Sequence, residues 1–297
     1  MHVILIHGQG RTPLSMIWLG RRLARQETAD PDSFVRLRFG SLAAVEEAVH
    51  RGSARLAPGR HRRVSELGRV EAGVHAGEDR ETPGGRHTAI QTRRCASLAD
   101  KHLLLQEAVA RPENHWGEIA LAATLEEPQP ERHPHVEAIE HLKTPQFELV
   151  RYATRASGIE ICIASRELRE PLVLRRMVSV FTSRDGPDPR GAALAYLQAL
   201  RWEDFEALFA AHSGKWADFW TRADIRVPGR ASVEQALRFG SYHLRIAAGD
   251  DARASIGART LSGRAYEGHV FWDTEIFMLP FYLHLEPRQG LNLLLYR

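Results

Sequence analysis

The sequence predicts a multi-domain β-then-α chain: an antiparallel β-sandwich followed by a run of helices. Between Leu98 and Thr182, short apolar runs are separated by Pro, Gly, Asn and Glu clusters, and Ile159, Ile161 and Ile163 repeat with a period of two. Beyond Pro189 the apolar period lengthens to three and four residues, the spacing of a helix face. A stretch rich in Gly, Arg, His and Glu, residues 57–85, carries no period and reads as a disordered linker behind a short α/β segment at 1–56.

In chain order, Val3-Ile4-Leu5-Ile6 reads as a short buried strand with His7-Gly8-Gln9-Gly10 as its turn. Leu14, Ile17, Trp18 and Leu23 then mark a helix over 14–25, and Ser41 caps another that runs to about Leu56. The sandwich, residues 86–185, takes strands at Leu98–Val109, Glu118–Leu125, Phe147–Ala153, Ile159–Ala164 and Leu172–Thr182, with Pro112 to Gly117 as a connection. Helices follow at Pro189–Leu200, capped by Asp188, at Trp202–Thr221 and at Ser232–Ala248. Residues 186–230 form a helical linker in this scheme. A further helix starts near Asp273 and ends near Leu285, and Pro287 opens another.

Composition excludes several classes. Two cysteines, Cys95 and Cys162, fit neither a disulfide framework nor a metal spacing, so a reducing, cytoplasmic setting is expected. No apolar run approaches the ~18 residues of a membrane span. Charge is modest at +3, and the basic character comes from arginine, since Lys101, Lys143 and Lys215 are the only lysines. Arg51 to Arg94 holds ten arginines against five acidic residues, but without interleaved aromatics for base stacking, so no nucleic-acid partner is expected.

The densest chemistry lies in Gly263-Arg264-Ala265-Tyr266-Glu267-Gly268-His269-Val270-Phe271-Trp272-Asp273-Thr274-Glu275-Ile276-Phe277-Met278-Leu279-Pro280. Trp272 offers a flat apolar face for a sugar ring, and Asp273 offers two acceptor oxygens to its hydroxyls. On the residues alone, a core tryptophan beside a helix cap is the favoured reading. The segment resembles the start of the helical barrel of glycoside hydrolase family 65, the maltose, trehalose and kojibiose phosphorylases. Arg93-Arg94-Cys95-Ala96-Ser97-Leu98-Ala99-Asp100-Lys101-His102-Leu103, Phe181-Thr182-Ser183-Arg184-Asp185 and His212-Ser213-Gly214-Lys215-Trp216-Ala217-Asp218-Phe219-Trp220 carry the likeness upstream, so that it spans about Arg86 to Arg297.

The resemblance implies that residues 231–297 begin an (α/α)6 catalytic barrel, truncated here. It implies inverting cleavage of an α-glucoside disaccharide of the maltose, trehalose or kojibiose class. It also implies inorganic phosphate, or less often water, as the co-substrate, that is a phosphorylase or hydrolase with no metal or organic cofactor, and full-length relatives as homodimers. Substrate-binding positions carried over are Trp272, Asp273 and His269. The family's general acid and phosphate loop lie further downstream, and the chain ends 24 residues after Asp273. No catalytic residue is therefore assigned, and this chain alone is expected to be inactive. A non-catalytic carbohydrate- or partner-binding role is the alternative. The first 26 residues resemble the start of an α/β-hydrolase, but no Gly-x-Ser-x-Gly elbow occurs, which disfavours an esterase.

Other candidates read as structural. Trp216 and Trp220, four apart, share a helix face and read as packing. His133, His135 and His141 surround Pro134 without a cysteine and read as loop rather than metal site. Ser183-Arg184-Asp185 has no adjacent histidine and reads as a strand-end hydrogen-bond cluster.

Overall fold

A computed structural model describes residues 36–37, 78–81, 87–116, 119–121, 123, 125, 136–258, 260, 266 and 269–297. The strand expected at 3–6, the helices at 14–25 and 41–56, and most of the 57–85 linker lie outside the described residues.

Nine strands lie among the described residues: β1 (Arg36–Leu37), β2 (Glu78–Glu81), β3 (His87–Ala96), β4 (Leu103–Pro112), β5 (Ala120–Leu121), β6 (Val136–Lys143), β7 (Glu148–Thr154), β8 (Glu160–Glu170) and β9 (Val173–Thr182). Seven form one antiparallel sheet in the order β2-β3-β4-β9-β8-β7-β6, while β1 and β5 pair in parallel. Among the described residues, helix packs on one face of the large sheet, and on the other face the short strand β5 sets Leu121 against Ala108, Ala110 and Leu174. Helix α1 (Pro189–Ala199) sets Ala193 and Leu197 against Leu103, Leu105, Leu149, Cys162, Ala164 and Met177. Small Cys162 and Ala164 make room for it, and Ser179 Oγ donates to the Ala193 carbonyl at 2.9 Å. The opposite face buries Leu104, Val150, Tyr152, Ile161, Ile163 and Val178. The isoleucine alternation in β8 therefore marks one of two buried faces, not a wet and a dry side.

Four elements depart from the sequence reading. Leu98 to His102 is a tight connection, not strand. Ser97 Oγ accepts from the Ala99 and Asp100 amides, and Asp100 Oδ1 accepts from His102, so side chains take over backbone donors that a strand would pair. Among the described residues of the strand expected at Glu118–Leu125, two form β5. Inside the expected linker, Glu78–Glu81 pairs with His87–Ile90 as an edge hairpin. Strand β6 went unpredicted because a bulge interrupts it: Ala138 pairs with Tyr152 and Glu140 with Arg151, leaving Ile139 as the extra residue. The slip turns Glu140 to the helix side, where it accepts from Arg151 at 3.1 Å and from Arg190 of α1 at 3.3 Å.

Asp188 caps α1 through the Gly191 amide at 2.8 Å, as expected. After a 3-10 turn at Trp202–Asp204, helix α2 (Phe205–Ala223) buries Phe205, Phe209, His212, Trp216, Phe219 and Ala223, spaced four and three apart. Its first turn enters the sheet core and its last turns enter a second core with Ile246, Tyr242 and Phe281. Buried His212 accepts the Leu98 amide at 3.0 Å through Nδ1. Helices α3 (Ala231–Ala247), α4 (Leu279–Leu285) and α5 (Pro287–Tyr296) complete the described chain. None of the described helices is long and apolar enough to cross a membrane.

The sheet carries charge on both faces. Glu107 accepts from Arg93 at 2.7 Å and Arg175 at 2.8 Å, and Arg93 continues to Glu206 of α2. On the other face, fully buried Arg176 donates to Ser165 at 2.8 Å and to Glu148 at 3.2 Å, and Glu148 also accepts the Leu125 amide at 3.0 Å. Burial lowers the Arg176 pKa against the pull of Glu167 and Glu148. Removing one partner of such a pair leaves an uncompensated charge. Glu148→Gln is expected to lower unfolding stability by about 3–5 kcal/mol in urea titrations. Glu137→Gln, which loses only the exposed 3.6 Å pair with Arg155, is expected to change it by less than ~1 kcal/mol.

Glu140 supplies a pH test. Arg190 first and Arg151 second hold its folded pKa below the ordinary 4.5. Its contribution is therefore complete above that value and fades as pH falls through the lowered folded pKa. The fall in Tm on acidification below about pH 4.5 should be shallower in Glu140→Gln than in the parent chain. Parallel acid limbs would show that the Glu140 contacts do not hold in solution.

Candidate functional site

The Trp272-Asp273 pair stands where the chain enters its last helical hairpin. Thr274, fully buried, donates from Oγ1 to the Ile256 carbonyl at 3.0 Å and pins this entry to the 254–258 segment. The Ala258 amide donates to the His269 carbonyl at 3.1 Å, closing the loop from the other side. Residues Thr274–Met278 then form a widened π-turn, with the Leu279 amide donating back to Thr274. Pro280, at the first turn of α4, needs room from the carbonyl four residues back, and the wider turn supplies it.

Neither structural alternative for the pair holds. Trp272 is 69% exposed and is not a core residue. Asp273 has helical backbone angles, φ −53° and ψ −35°, and its side chain makes no capping bond. The amides it would cap are served by main chain: Thr274 donates to Phe271 at 3.3 Å, and Glu275 and Ile276 donate to Trp272 at 3.1 and 3.0 Å. A carboxylate is thus displayed beside an open indole without a local backbone duty.

His269 is tied more closely to structure. Its amide and Nδ1 both lie within 2.8 Å of the Tyr266 carbonyl. A carbonyl partner requires Nδ1–H, which leaves Nε2 as the acceptor in the neutral ring. Tyr266, at φ 67°, packs edge-on to Phe271 at 5.7 Å.

Two neighbours were missed in the sequence. Arg297 holds Glu275 in a fork, Nε to Oε1 at 3.0 Å and a terminal amino group to Oε2 at 2.9 Å. The same guanidinium lies over the Trp272 ring at 5.2 Å from its centroid. Hydrogen bonding to Glu275 is the main reason the Arg297 pKa is raised. Sequence offers a hint only for Glu275, one helical turn after Trp272. Arg297 arrives because α5 folds back on α4, an approach that Gly290 permits: a Cβ there would stand 3.1 Å from Leu283 Cδ2 and 3.3 Å from its amide nitrogen. Tyr282 anchors the hairpin by donating to the Leu244 carbonyl of α3 at 2.5 Å. Glu286, between the two helices, receives Arg222 of α2 at 2.9 Å and lies 3.5 Å from Arg245 of α3.

The remaining candidates are structural where described. Trp216 is buried, stacked on Tyr242 at 5.0 Å and on Trp220 at 5.9 Å. Ser183 Oγ accepts the Glu160 amide at 3.1 Å and Asp185 accepts the Thr182 hydroxyl at 2.8 Å, the expected strand-end cluster. His141 contacts Glu148 at 3.1 Å, whereas His133 and His135 lie outside the described residues.

Comparison with known proteins agrees with this layout. The family model for the N-terminal domain of glycosyl hydrolase family 65 matches residues 78–219, and that for its central catalytic domain matches residues 238–297. A kojibiose phosphorylase of Halothermothrix orenii is 38% identical over 138 residues, covering 43% of this chain and 18% of the relative. One from Escherichia coli is 43% identical over 108 residues, 36% of this chain and 14% of the relative. An α,α-trehalose phosphorylase of Geobacillus stearothermophilus is 27% identical over 251 residues, 72% of this chain and 33% of the relative. The chain thus spans at most a third of the length of these relatives. A solved structure named as a candidate kojibiose phosphorylase from the human microbiome superposes with a TM-score of 0.61 at 19% identity, over 77% of this chain and 34% of its own, and so shares the fold. With two domain models of one family matched in order along it, the chain belongs to glycosyl hydrolase family 65.

Proposed function

We propose that this chain carries the glucosyl-gripping part of an inverting α-glucoside phosphorylase of the kojibiose, trehalose or nigerose class, the activities named for its relatives. The observation that carries this is the exposed Trp272 beside an uncapped Asp273. The indole stacks on the apolar face of the glucosyl ring and the carboxylate accepts from two of its hydroxyls. In the complete reaction, phosphate oxygen attacks the anomeric carbon as its bond to the bridging oxygen breaks. An acid on the opposite side gives that oxygen a proton, releasing glucose 1-phosphate and the second sugar. In this reading His269, whose Nδ1 is engaged by the Tyr266 carbonyl, offers Nε2 to one further hydroxyl. Phosphate is the co-substrate, and no step requires a metal or organic cofactor.

We further propose that α3, α4 and α5 are the first helices of an (α/α)6 barrel. Phe277 is 74% exposed and Leu295 65%, with Ile276, Leu291 and Leu294 also open, an apolar face of the kind that further helices cover. Glu275, the carboxylate nearest in sequence to Asp273, is committed to Arg297 and is poorly placed to serve as the acid. The 297-residue chain is therefore expected to bind without turnover.

Calorimetric titration with kojibiose, trehalose and nigerose tests the grip. Asp273→Ala should weaken binding at least ~10-fold, the loss of hydrogen bonds to a charged acceptor worth about 1.5–3 kcal/mol, with Tm unchanged. Retained affinity with a stability loss of ~1 kcal/mol would make Asp273 a cap after all. Glucose 1-phosphate released by the wild-type chain in phosphate buffer would place a catalytic acid within these residues.

A further inference from the structure

We infer that Glu275 and Arg297 form a clamp that closes one face of Trp272 and so decides which face of the indole receives the sugar. The inference rests on the proposal that Trp272 is a sugar platform. An indole has two faces of equal chemistry, and a ring as exposed as Trp272 could offer either. Here the Arg297 guanidinium lies 5.2 Å from the ring centroid and is itself fixed by its forked bond to Glu275 at 3.0 and 2.9 Å. Glu275 is mostly covered, and it follows Trp272 by one turn of helix. The carboxylate is therefore a rigid post, the guanidinium a plate bolted to it, and the indole rests against that plate.

Two consequences follow for binding. The face under Arg297 is closed to a sugar ring, so stacking is confined to the other face. The ring is also ordered before the ligand arrives. A loose, exposed tryptophan loses rotamer freedom when a ligand stacks on it, while a clamped one has already lost it. Glu275 and Arg297 are thus positioning residues that act through Trp272. A lysine cannot replace Arg297, because an ammonium lacks both the planar fork and the flat surface for stacking.

Three substitutions in the full 297-residue chain test this, with kojibiose as the titrant. Glu275→Gln, Arg297→Lys and Arg297→Ala should each weaken binding about two- to ten-fold, the expected penalty for one newly ordered side chain. A second readout separates the clamp from a merely structural ion pair. In chain labelled with 5-fluorotryptophan, the Trp272 fluorine signal, assigned by its loss in Trp272→Phe, should shift in all three variants while the signals of buried Trp216 stay in place. Unchanged affinity and an unmoved Trp272 signal would overturn the clamp. Tighter binding by Arg297→Ala would also overturn it, since Arg297 would then occupy the face the sugar uses. If Trp272→Ala abolishes binding and the clamp variants do not weaken it, the sugar site stands and the clamp falls. If wild-type chain binds no kojibiose, the sugar platform itself falls, and face selection with it.

Discussion

The rest of this structure depends on the buried stripe of α2. Phe205 and Phe209 close the sheet core, and Trp216 and Phe219 close the helical one, all on one helix face. Each fully buried side chain of this size contributes roughly 1.5–3 kcal/mol, so one helix joins two cores that would otherwise be separate. The polar contacts along it fix register rather than add much stability. Arg93 ties Glu206 at its start to Glu107 of the sheet, His212 accepts the Leu98 amide at its middle, and Arg222 at its end reaches Glu286 of the terminal hairpin. This helix links Trp272 to the sheet, beside a direct donation from Arg253 to the Arg184 carbonyl at 3.4 Å.

The stripe was legible because its period survives in sequence: a helix with aromatics at every third or fourth position has few other ways to fold. The helix starts were legible too, since Asp188-Pro189 and Pro287 act locally. Strand boundaries were less so. At Leu98 the apolar side chain suggested strand, but Ser97 and Asp100 supply a turn whose hydrogen bonds are invisible to a hydrophobic pattern. At β6 the bulge at Ile139 breaks the alternation that would have identified the strand. The buried charges were not legible at all. Nothing near Arg176 in sequence shows that Glu148 and Ser165, on two other strands, will meet it; only the sheet order does.

The candidate site divides the same way. Its local half, Trp272-Asp273 followed by a helix, could be read directly. What the sequence left open was whether these were a core residue and a cap, and the structure answers with an exposed ring and main-chain partners for the helix amides. Its non-local half, Arg297, needed the return of α5 along α4. That return depends on Gly290, whose missing side chain lets the two helices touch.

Exposure at this end of the molecule has two different meanings. Phe277, Leu291 and Leu295 are aliphatic or aromatic side chains on helices whose inner faces are already packed by Leu279, Tyr282 and Leu293. On the proposed reading their partners are other helices. Trp272 differs because charged groups surround it: Asp273 follows it, Arg297 covers one face, and Glu275 holds Arg297. An apolar plate with fixed polar groups at its margin can select a ligand that is apolar on its faces and polar at its edge, as a pyranose ring is. On the proposed reading, what sets Trp272 apart from the open apolar side chains of the terminal hairpin thus lies in the polar groups beside it, not in how much apolar area is open.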